Sequence, residues 1–223
     1  MASEITAAAS ASARAEILRS IRAAKDGASD AHAAAAAWSN VAREYRRDDE
    51  PGSEAVLEML EDRLRDYDAH VARASRGEIA GTIAQMLAVR GKRRMLVPPG
   101  IAPEWLPAGV QFFVDEGMTA AELDAFDGVI TGSTVAIAET GTVVLQNVPG
   151  QGRRALSLVP DYHLCLVNAE DVVKTVPAAM DRLRPTSELP TTFFSGPSAT
   201  ADIEMTRIKG VHGPRHLDII LIV

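Results

Sequence analysis

Hydroxyl, carboxylate and glycine residues are concentrated in two segments of this 223-residue sequence. The first, residues 128–145, reads Gly-Val-Ile-Thr-Gly-Ser-Thr-Val-Ala-Ile-Ala-Glu-Thr-Gly-Thr-Val-Val-Leu and places Glu139 beside Thr140, Gly141 and Thr142. Glycines permit backbone conformations closed to other residues, and hydroxyls and free N–H groups in such turns hold anions such as phosphate or carboxylate. Taken alone, the pattern favours an ordinary βαβ turn in which Ser and Thr cap helices, and an anion-binding turn is the alternative.

The second segment, residues 195–217, combines two Gly/Pro turns with histidines and paired carboxylates. Such a density of small and ionisable groups near strand ends is typical of a pocket wall. Asp202 and Glu204 suit general acid–base chemistry if burial or proximity separates their pKa values. A triad of Ser198, His212 and Asp202 is a further arrangement, but the Gly-x-Ser-x-Gly elbow is missing from the sequence. We therefore expect ligand binding here rather than nucleophilic catalysis.

The sequence lacks the residue patterns that metal and cofactor sites require. His212 and His216 are four apart, yet Pro214 between them argues against a helical metal pair. The one cysteine, Cys165, cannot hold an iron–sulfur cluster, and its apolar surroundings at 164–167 predict a buried core thiol. There is no P-loop, and no Gly-x-Gly-x-x-Gly turn follows a strand. We expect no metal and no resident cofactor on this chain.

The elements that must position these residues begin at residue 53. Ser53 is a candidate N-cap, and the apolar stripe of the helix after it consists of Val56, Leu57, Leu60, Leu64 and Val71. Further helices are predicted at 78–89 and about 171–184, with a capped helical turn at 119–126 and a short helix or turn after Gly132. Short apolar strands are predicted at 95–97, 110–114, 128–132, 143–145, 164–167, 192–194 and 217–222. This alternation predicts an α/β fold whose sheet is largely parallel, or mixed because the second half is richer in strands.

Residues 1–50 differ from the rest in being rich in Ala, Ser and charged residues. Ile17, Leu18 and Ile21 follow helical spacing and predict a short amphipathic helix, which offers a face for a partner or for the chain's own domain. We expect a helical or partly disordered arm over 1–50 and an α/β domain over 51–223.

Composition excludes several classes of protein. The formal net charge of −7 argues against general nucleic-acid binding, which needs a basic surface. No apolar stretch approaches the roughly 20 residues that span a bilayer, and the N-terminus lacks the apolar region of a signal peptide. We expect a cytoplasmic protein without a membrane span.

Two strings of residues resemble a known family. Ala-Glu-Thr-Gly-Thr at 138–142, followed by Arg154, Ser157, Pro160 and His163, resembles the central signature of the LUD domain, formerly DUF162. Gly-Pro-Ser-Ala-Thr-Ala-Asp-Ile-Glu at 196–204, followed by Gly-Val-His-Gly-Pro at 210–214, is similar to the C-terminal signature of the lactate-utilisation protein C family. Arg-x-x-Ile-Leu-x-x-Ile-Arg at 14–22 resembles the same family, whereas residues 24–90 show ordinary helices alone.

The resemblance implies a three-layer α/β/α fold with a mostly parallel sheet, like that of the NagB/RpiA/CoA-transferase group. It also implies a role in the oxidation of L-lactate to pyruvate, alongside partner proteins that carry iron–sulfur clusters. Such a division of labour fits a chain with a single cysteine.

The expected site unites both segments. Its ligand-binding residues are predicted to be Thr131, Ser133, Thr140, Gly141, Thr142, Arg154, Ser198, Thr200, Asp202, Glu204 and His212. Arg154 is expected to pair with a ligand carboxylate, and Glu139 to carry any chemistry, by analogy with the glutamate of related CoA-transferase folds. Three functions stay open: a non-redox subunit of a lactate-oxidising system that binds a small anion or a partner, an independent enzyme acting on a sugar phosphate or acyl-CoA, and a structural or regulatory module.

Overall fold

A computed structural model of the chain divides into two compact units, Met1–Tyr45 and Arg46–Val223. The residues that the structure describes are 2–24, 30–46, 51–200, 208–210 and 212–223. Asp202 and Glu204 of the predicted site lie outside them.

Seven α-helices occur in the described part of the chain: α1 (Ala2–Ala24), α2 (Ala31–Ser39), α3 (Glu54–Asp66), α4 (Ile79–Val89), α5 (Ala120–Asp124), α6 (Arg154–Leu158) and α7 (Val176–Leu183). The strands described are β1 (His70–Ala74), β2 (Arg94–Val97), β3 (Gln111–Val114), β4 (Gly128–Thr131), β5 (Val135–Ile137), β6 (Thr142–Gln146), β7 (Tyr162–Asn168), β8 (Val172–Val173), β9 (Thr191–Phe194), β10 (Ala199–Thr200), β11 (Ile208–Lys209) and β12 (His216–Ile222).

A six-stranded parallel sheet in the order β1-β12-β7-β4-β2-β3 forms the centre of the larger unit. Its middle strands read as continuous apolar runs because both faces of the sheet are covered. Ile79, Ile83 and Leu87 of α4 are fully buried against one face. Leu60 and Leu64 of α3 are fully buried in the core on the opposite face. The predicted α/β fold with a mostly parallel central sheet flanked by helices is confirmed.

A second, four-stranded sheet in the order β8-β5-β6-β9 accounts for the extra strands of the C-terminal half. In it β5 pairs in parallel with β8 and antiparallel with β6, which pairs antiparallel with β9. Val143 and Leu145 of β6 join the same core as α3, whereas Val144 packs on the other side with Ala179 of α7. The mixed pairing therefore belongs to a separate sheet that covers one face of the parallel one.

Several local predictions are confirmed. Thr119 and Glu122 form a capping box at the start of α5, with the Thr119 hydroxyl accepting from Glu122 N–H. Cys165 is fully buried in β7. Ser53 is the N-cap of α3, although its side chain makes no capping hydrogen bond.

Three others are wrong. Val71 does not continue the helix, because Asp68 (φ 66°) follows its last turn and Val71 enters β1. The stretch after Gly132 is strand β5, whose three apolar residues carry no helical periodicity of their own. The helix predicted at 171–184 begins at Val176 instead, since Val172–Val173 pairs with β5 and Thr175 caps α7.

The smaller unit contains α1 and α2. The predicted amphipathic helix lies in α1, where Ile17, Leu18 and Ile21 are exposed. In the described ranges, no helix is both long and apolar enough to cross a membrane.

Candidate functional site

The amino ends of β7 and β12 border a cleft with two connected chambers, which we name the amino-edge cleft. Its outer chamber, of about 710 Å³, is lined by the residues just before these strands, Asp161 and Arg215. Its inner chamber, of about 290 Å³, reaches His163 and Leu217, the second residue of each strand. Arg154, at the first turn of α6, lines both chambers.

The two chambers differ in the charged side chains that line them. In the outer one Arg215 donates to Asp161 at 2.5 Å, and although burial raises the pKa of Asp161, the hydrogen bond and charge of Arg215 outweigh it and the pKa falls. In the inner one the described lining includes serines, glycines, prolines and phenylalanines, with Arg154 as its one permanently charged side chain. The inner chamber is thus suited to an anion.

Arg154 has no acidic partner among the described residues. Within the described residues its guanidinium, which has five donors, makes one hydrogen bond, a long one to Thr192 Oγ1 at 3.4 Å. The preceding residue, Arg153, instead donates to both oxygens of Asp115, at 2.7 and 2.9 Å. In the described part of the chain, Arg154 therefore lacks the two-pronged carboxylate pairing that guanidinium groups favour and that Arg153 has.

Residues 198 and 212–214 of the second segment form another part of the wall of the inner chamber. Ser198 N–H donates to Pro214 O at 2.8 Å, and Ser198 Oγ accepts from His212 N–H at 3.1 Å. Gly210 N–H donates to Ser198 O at 3.0 Å, so the residue just before β10 is hydrogen-bonded to the residue just after β11. These bonds hold His212 and Ser198 at the chamber that Arg154 lines.

His163 closes the inner end. Its ring is 2% exposed, lies 5.3 Å from the Phe194 ring between centroids, and has Nε2 at 2.8 Å from Thr131 Oγ1. Burial lowers the pKa of His163 to about 4, so the ring is neutral at physiological pH. Burial also raises the pKa of Cys165 to about 12, which keeps its thiol protonated beside Thr131.

The Glu-Thr-Gly-Thr loop between β5 and β6 lies behind this chamber. Thr142 Oγ1 is 2.7 Å from Ser195 Oγ, which lines the inner chamber, and 2.8 Å from Thr140 Oγ1. Glu139 pairs with Arg46 and is not among the residues described as lining the cleft. The two segments therefore meet through Thr142 and Ser195.

Glycines of both segments pack against α3 and the residue after it. Gly141 (φ 59°) would place a Cβ 2.8 Å from Arg63 Cβ, and Gly196 (φ 79°) would place one 2.5 Å from Tyr67 Cβ. A side chain at either position would collide with its neighbour in addition to straining the backbone. These two glycines let the segments lie side by side.

Ser133 lies at the opposite edge of the parallel sheet. There a cavity of about 200 Å³, the carboxyl-edge cavity, is bordered by the loops after β2 and β4. Ser133 Oγ donates to Leu166 O at 3.0 Å, and Gln151 accepts from Thr134 Oγ1 at 2.8 Å. No charged side chain is among the described residues that line this cavity.

The structure thus brings three predicted site residues, Arg154, Ser198 and His212, to one cleft. Thr131 and Thr142 are hydrogen-bonded to two residues that line the cleft, His163 and Ser195 respectively. Thr200 is the last residue of β10. His163, which the sequence reasoning did not select, lines the chamber; a histidine inside an apolar strand was the available signal. No group of three or more metal-ligating side chains is found among the described residues.

Comparison with known proteins finds a family model and several relatives that are similar to this chain. The LUD domain family matches residues 114–222. A Lactate utilization protein C from Deinococcus radiodurans is 44% identical over 170 residues, which cover 75% of this chain and 79% of the relative. A Lactate utilization protein C from Shouchella clausii is 36% identical over 105 residues, 45% of each chain.

A solved structure agrees with the sequence matches. A crystal structure of a DUF162 family protein from Deinococcus radiodurans superposes with a TM-score of 0.66 at 38% identity. The superposition covers 76% of this chain and 97% of that one.

Proposed function

This chain belongs to the lactate utilization protein C family, and on that premise we propose that it takes part in lactate utilisation as a non-redox, cytoplasmic subunit. Its part is to bind a small 2-hydroxycarboxylate, of which L-lactate is the simplest chiral example, in the amino-edge cleft. The oxidation of lactate to pyruvate takes place on partner proteins.

The observation that carries this proposal is Arg154, which pairs with no carboxylate among the described residues and lines a chamber whose described lining holds none. A guanidinium with free donors and low competition from acids is the group that proteins use for carboxylate ligands. Ser198 and His212 line the same chamber and supply hydroxyl and imidazole groups for the rest of such a ligand. The volume of about 290 Å³ accommodates a three-carbon acid with water.

Partners are proposed because lactate oxidation releases two electrons that this chain has no evident means to hold. An iron–sulfur cluster needs several thiolates, and the sequence contains one cysteine. Cys165 is moreover fully buried, with a pKa raised by that burial. We therefore assign the clusters to partner subunits.

Growth on L-lactate tests the proposal. In a host whose own copy of the gene is deleted, we expect the wild-type chain to restore growth on L-lactate and Arg154→Met to restore it poorly. Arg76→Met is the matched control, because Arg76 is exposed and pairs only loosely with Glu170, at 3.6 Å. Both variants must accumulate to wild-type levels. Normal growth with Arg154→Met, or normal growth of the deletion host, contradicts the proposal.

A further inference from the structure

The buried histidine of the inner chamber holds a chain of hydrogen bonds whose direction can be worked out. Cys165 Sγ lies 3.6 Å from Gly132 O and 3.9 Å from Leu166 O, and carbonyl oxygens only accept, so the thiol donates. Thr131 Oγ1 donates to Cys165 Sγ at 3.7 Å. Since the Thr131 hydroxyl has one hydrogen, its oxygen then accepts from the ring of His163, at 2.8 Å.

In this arrangement every hydrogen on the three side chains has an acceptor. His163 carries its proton on Nε2, and Nδ1 has a free lone pair with no partner among the described residues. With the other tautomer Thr131 would donate to Nε2, Cys165 Sγ would accept nothing, and the Nδ1 hydrogen would lack a described acceptor. Because unpaired donors are costly at a site that is 2% exposed, the first arrangement is favoured.

We infer that His163 presents an unprotonated Nδ1 to the inner chamber and accepts a hydrogen bond from the 2-hydroxyl group of a carboxylate held by Arg154. This inference rests on the proposed function and deepens it, because it names the group that distinguishes a 2-hydroxy acid from a plain carboxylic acid. His163 and Arg154 line the same chamber of about 290 Å³, so we expect one short ligand to contact both. The positioning residue is Thr131, fully buried, which fixes the tautomer without touching the ligand.

Nitrogen-15 NMR of the histidine rings in the full chain tests the tautomer directly. At pH 7 we expect the His163 ring to be neutral with its hydrogen on Nε2, and to stay so from pH 6 to 8. Thr131→Ser keeps the hydroxyl and the tautomer, whereas Thr131→Val removes the acceptor and shifts the ring towards the Nδ1–H form. A hydrogen on Nδ1 in the wild-type protein, or no response to Thr131→Val, overturns the inference.

Binding of L-lactate and propanoate, which lacks the hydroxyl, tests the recognition step. We expect the wild-type chain to bind L-lactate about five- to tenfold more tightly, the value of one net hydrogen bond. His163→Phe, which keeps a ring beside Phe194, should lose this preference and bind the two acids with equal affinity. If the variant keeps the preference, the inference alone is wrong. If the wild-type chain binds neither acid, the proposed function fails and the inference falls with it.

Discussion

The two edges of the parallel sheet carry cavities of opposite character. The carboxyl-edge cavity lies between the loops after β2 and β4, the point where one connection leads to β3 and the other towards β7. Open α/β sheets usually bind ligands at this switch point. The amino-edge cleft has no such topological reason to bind a ligand, yet it contains Arg154, Ser198 and His212. The comparison teaches that topology locates cavities, whereas the charges lining them decide which ligand fits.

Two adjacent arginines show the same contrast within one turn of chain. Arg153 forms a two-pronged ion pair with Asp115, which follows β3 at the carboxyl edge. Arg154 turns to the amino-edge cleft and pairs with no described carboxylate. Arg153 thus holds two parts of the fold together, whereas Arg154 is the residue that we propose binds the ligand.

The largest expected effect tests how far the amino edge depends on charge. Asp218 in β12 is 1% exposed, accepts from Arg90 at 2.5 and 3.2 Å, and accepts from the Tyr162 hydroxyl at 2.9 Å. Arg90→Leu leaves this carboxylate buried without its cation, so we expect a loss of about 3 kcal/mol in the free energy of unfolding. Arg76→Leu, at a loose surface pair, should cost less than about 0.5 kcal/mol. Urea denaturation measures both, and equal losses would contradict the account.

The next effect tests whether the carboxyl edge depends on close backbone packing. Gly100 has φ 88°, and a Cβ there would lie 2.7 Å from Pro149 Cβ. Gly91 has a similar φ of 66° with open space around it. We expect Gly100→Ala to cost about 2 kcal/mol or more and Gly91→Ala about 1 kcal/mol, from backbone strain alone. Thermal unfolding measures the stability of both variants. If Gly100→Ala is as stable as Gly91→Ala, the close backbone packing at the carboxyl edge contributes nothing to stability.

A smaller effect concerns acid stability at the Asp115–Arg153 pair. The hydrogen bond from Arg153 lowers the pKa of Asp115, burial opposes it, and the N–H groups of Gly117 and Met118 lower it further. A lowered folded-state pKa stabilises the protein above the unfolded value of about 3.9, and this stabilisation is lost as the pH falls through the folded value.

Asp115→Asn therefore tests the pair through the pH dependence of unfolding. We expect the variant to be about 1 kcal/mol less stable at pH 7, a modest figure because Arg153 is over one third exposed. The difference in the free energy of unfolding between the variant and the wild-type protein should disappear as the pH falls from 5 to 2. If this difference stays constant over the same pH range, the charge of the Asp115 carboxylate contributes nothing to stability.

The sequence predicted most of the fold because long apolar runs leave few alternatives. Strands β2, β4, β7 and β12 were recognisable from such runs, as was the stripe of α3. Strand β1 was missed because it is a short edge strand that pairs with β12, and only two of its five residues, Val71 and Ala74, are buried. Strand β5 was missed because three apolar residues do not distinguish strand from helix.

The site was predictable only in part. Small and ionisable groups of the second segment indicated Ser198 and His212, and the resemblance to the LUD domain signature indicated Arg154; all three line one cleft. The sequence did not indicate that Glu139 would fall outside the residues described as lining this cleft. Its position depends on how the β5–β6 loop packs against α3. His163 belongs to the string that resembles the LUD signature but was not predicted as a site residue, because its neighbours become visible only in three dimensions.

Calorimetric titration of the full chain with L-lactate tests the central claim most directly. We expect saturable binding by the wild-type protein and by Ser133→Ala, whose change lies at the carboxyl-edge cavity. We expect Arg154→Met to weaken binding by at least about tenfold, the loss of a charged hydrogen-bonded pair. Binding that survives Arg154→Met but is lost in Ser133→Ala would contradict the account and place the ligand at the other edge of the sheet.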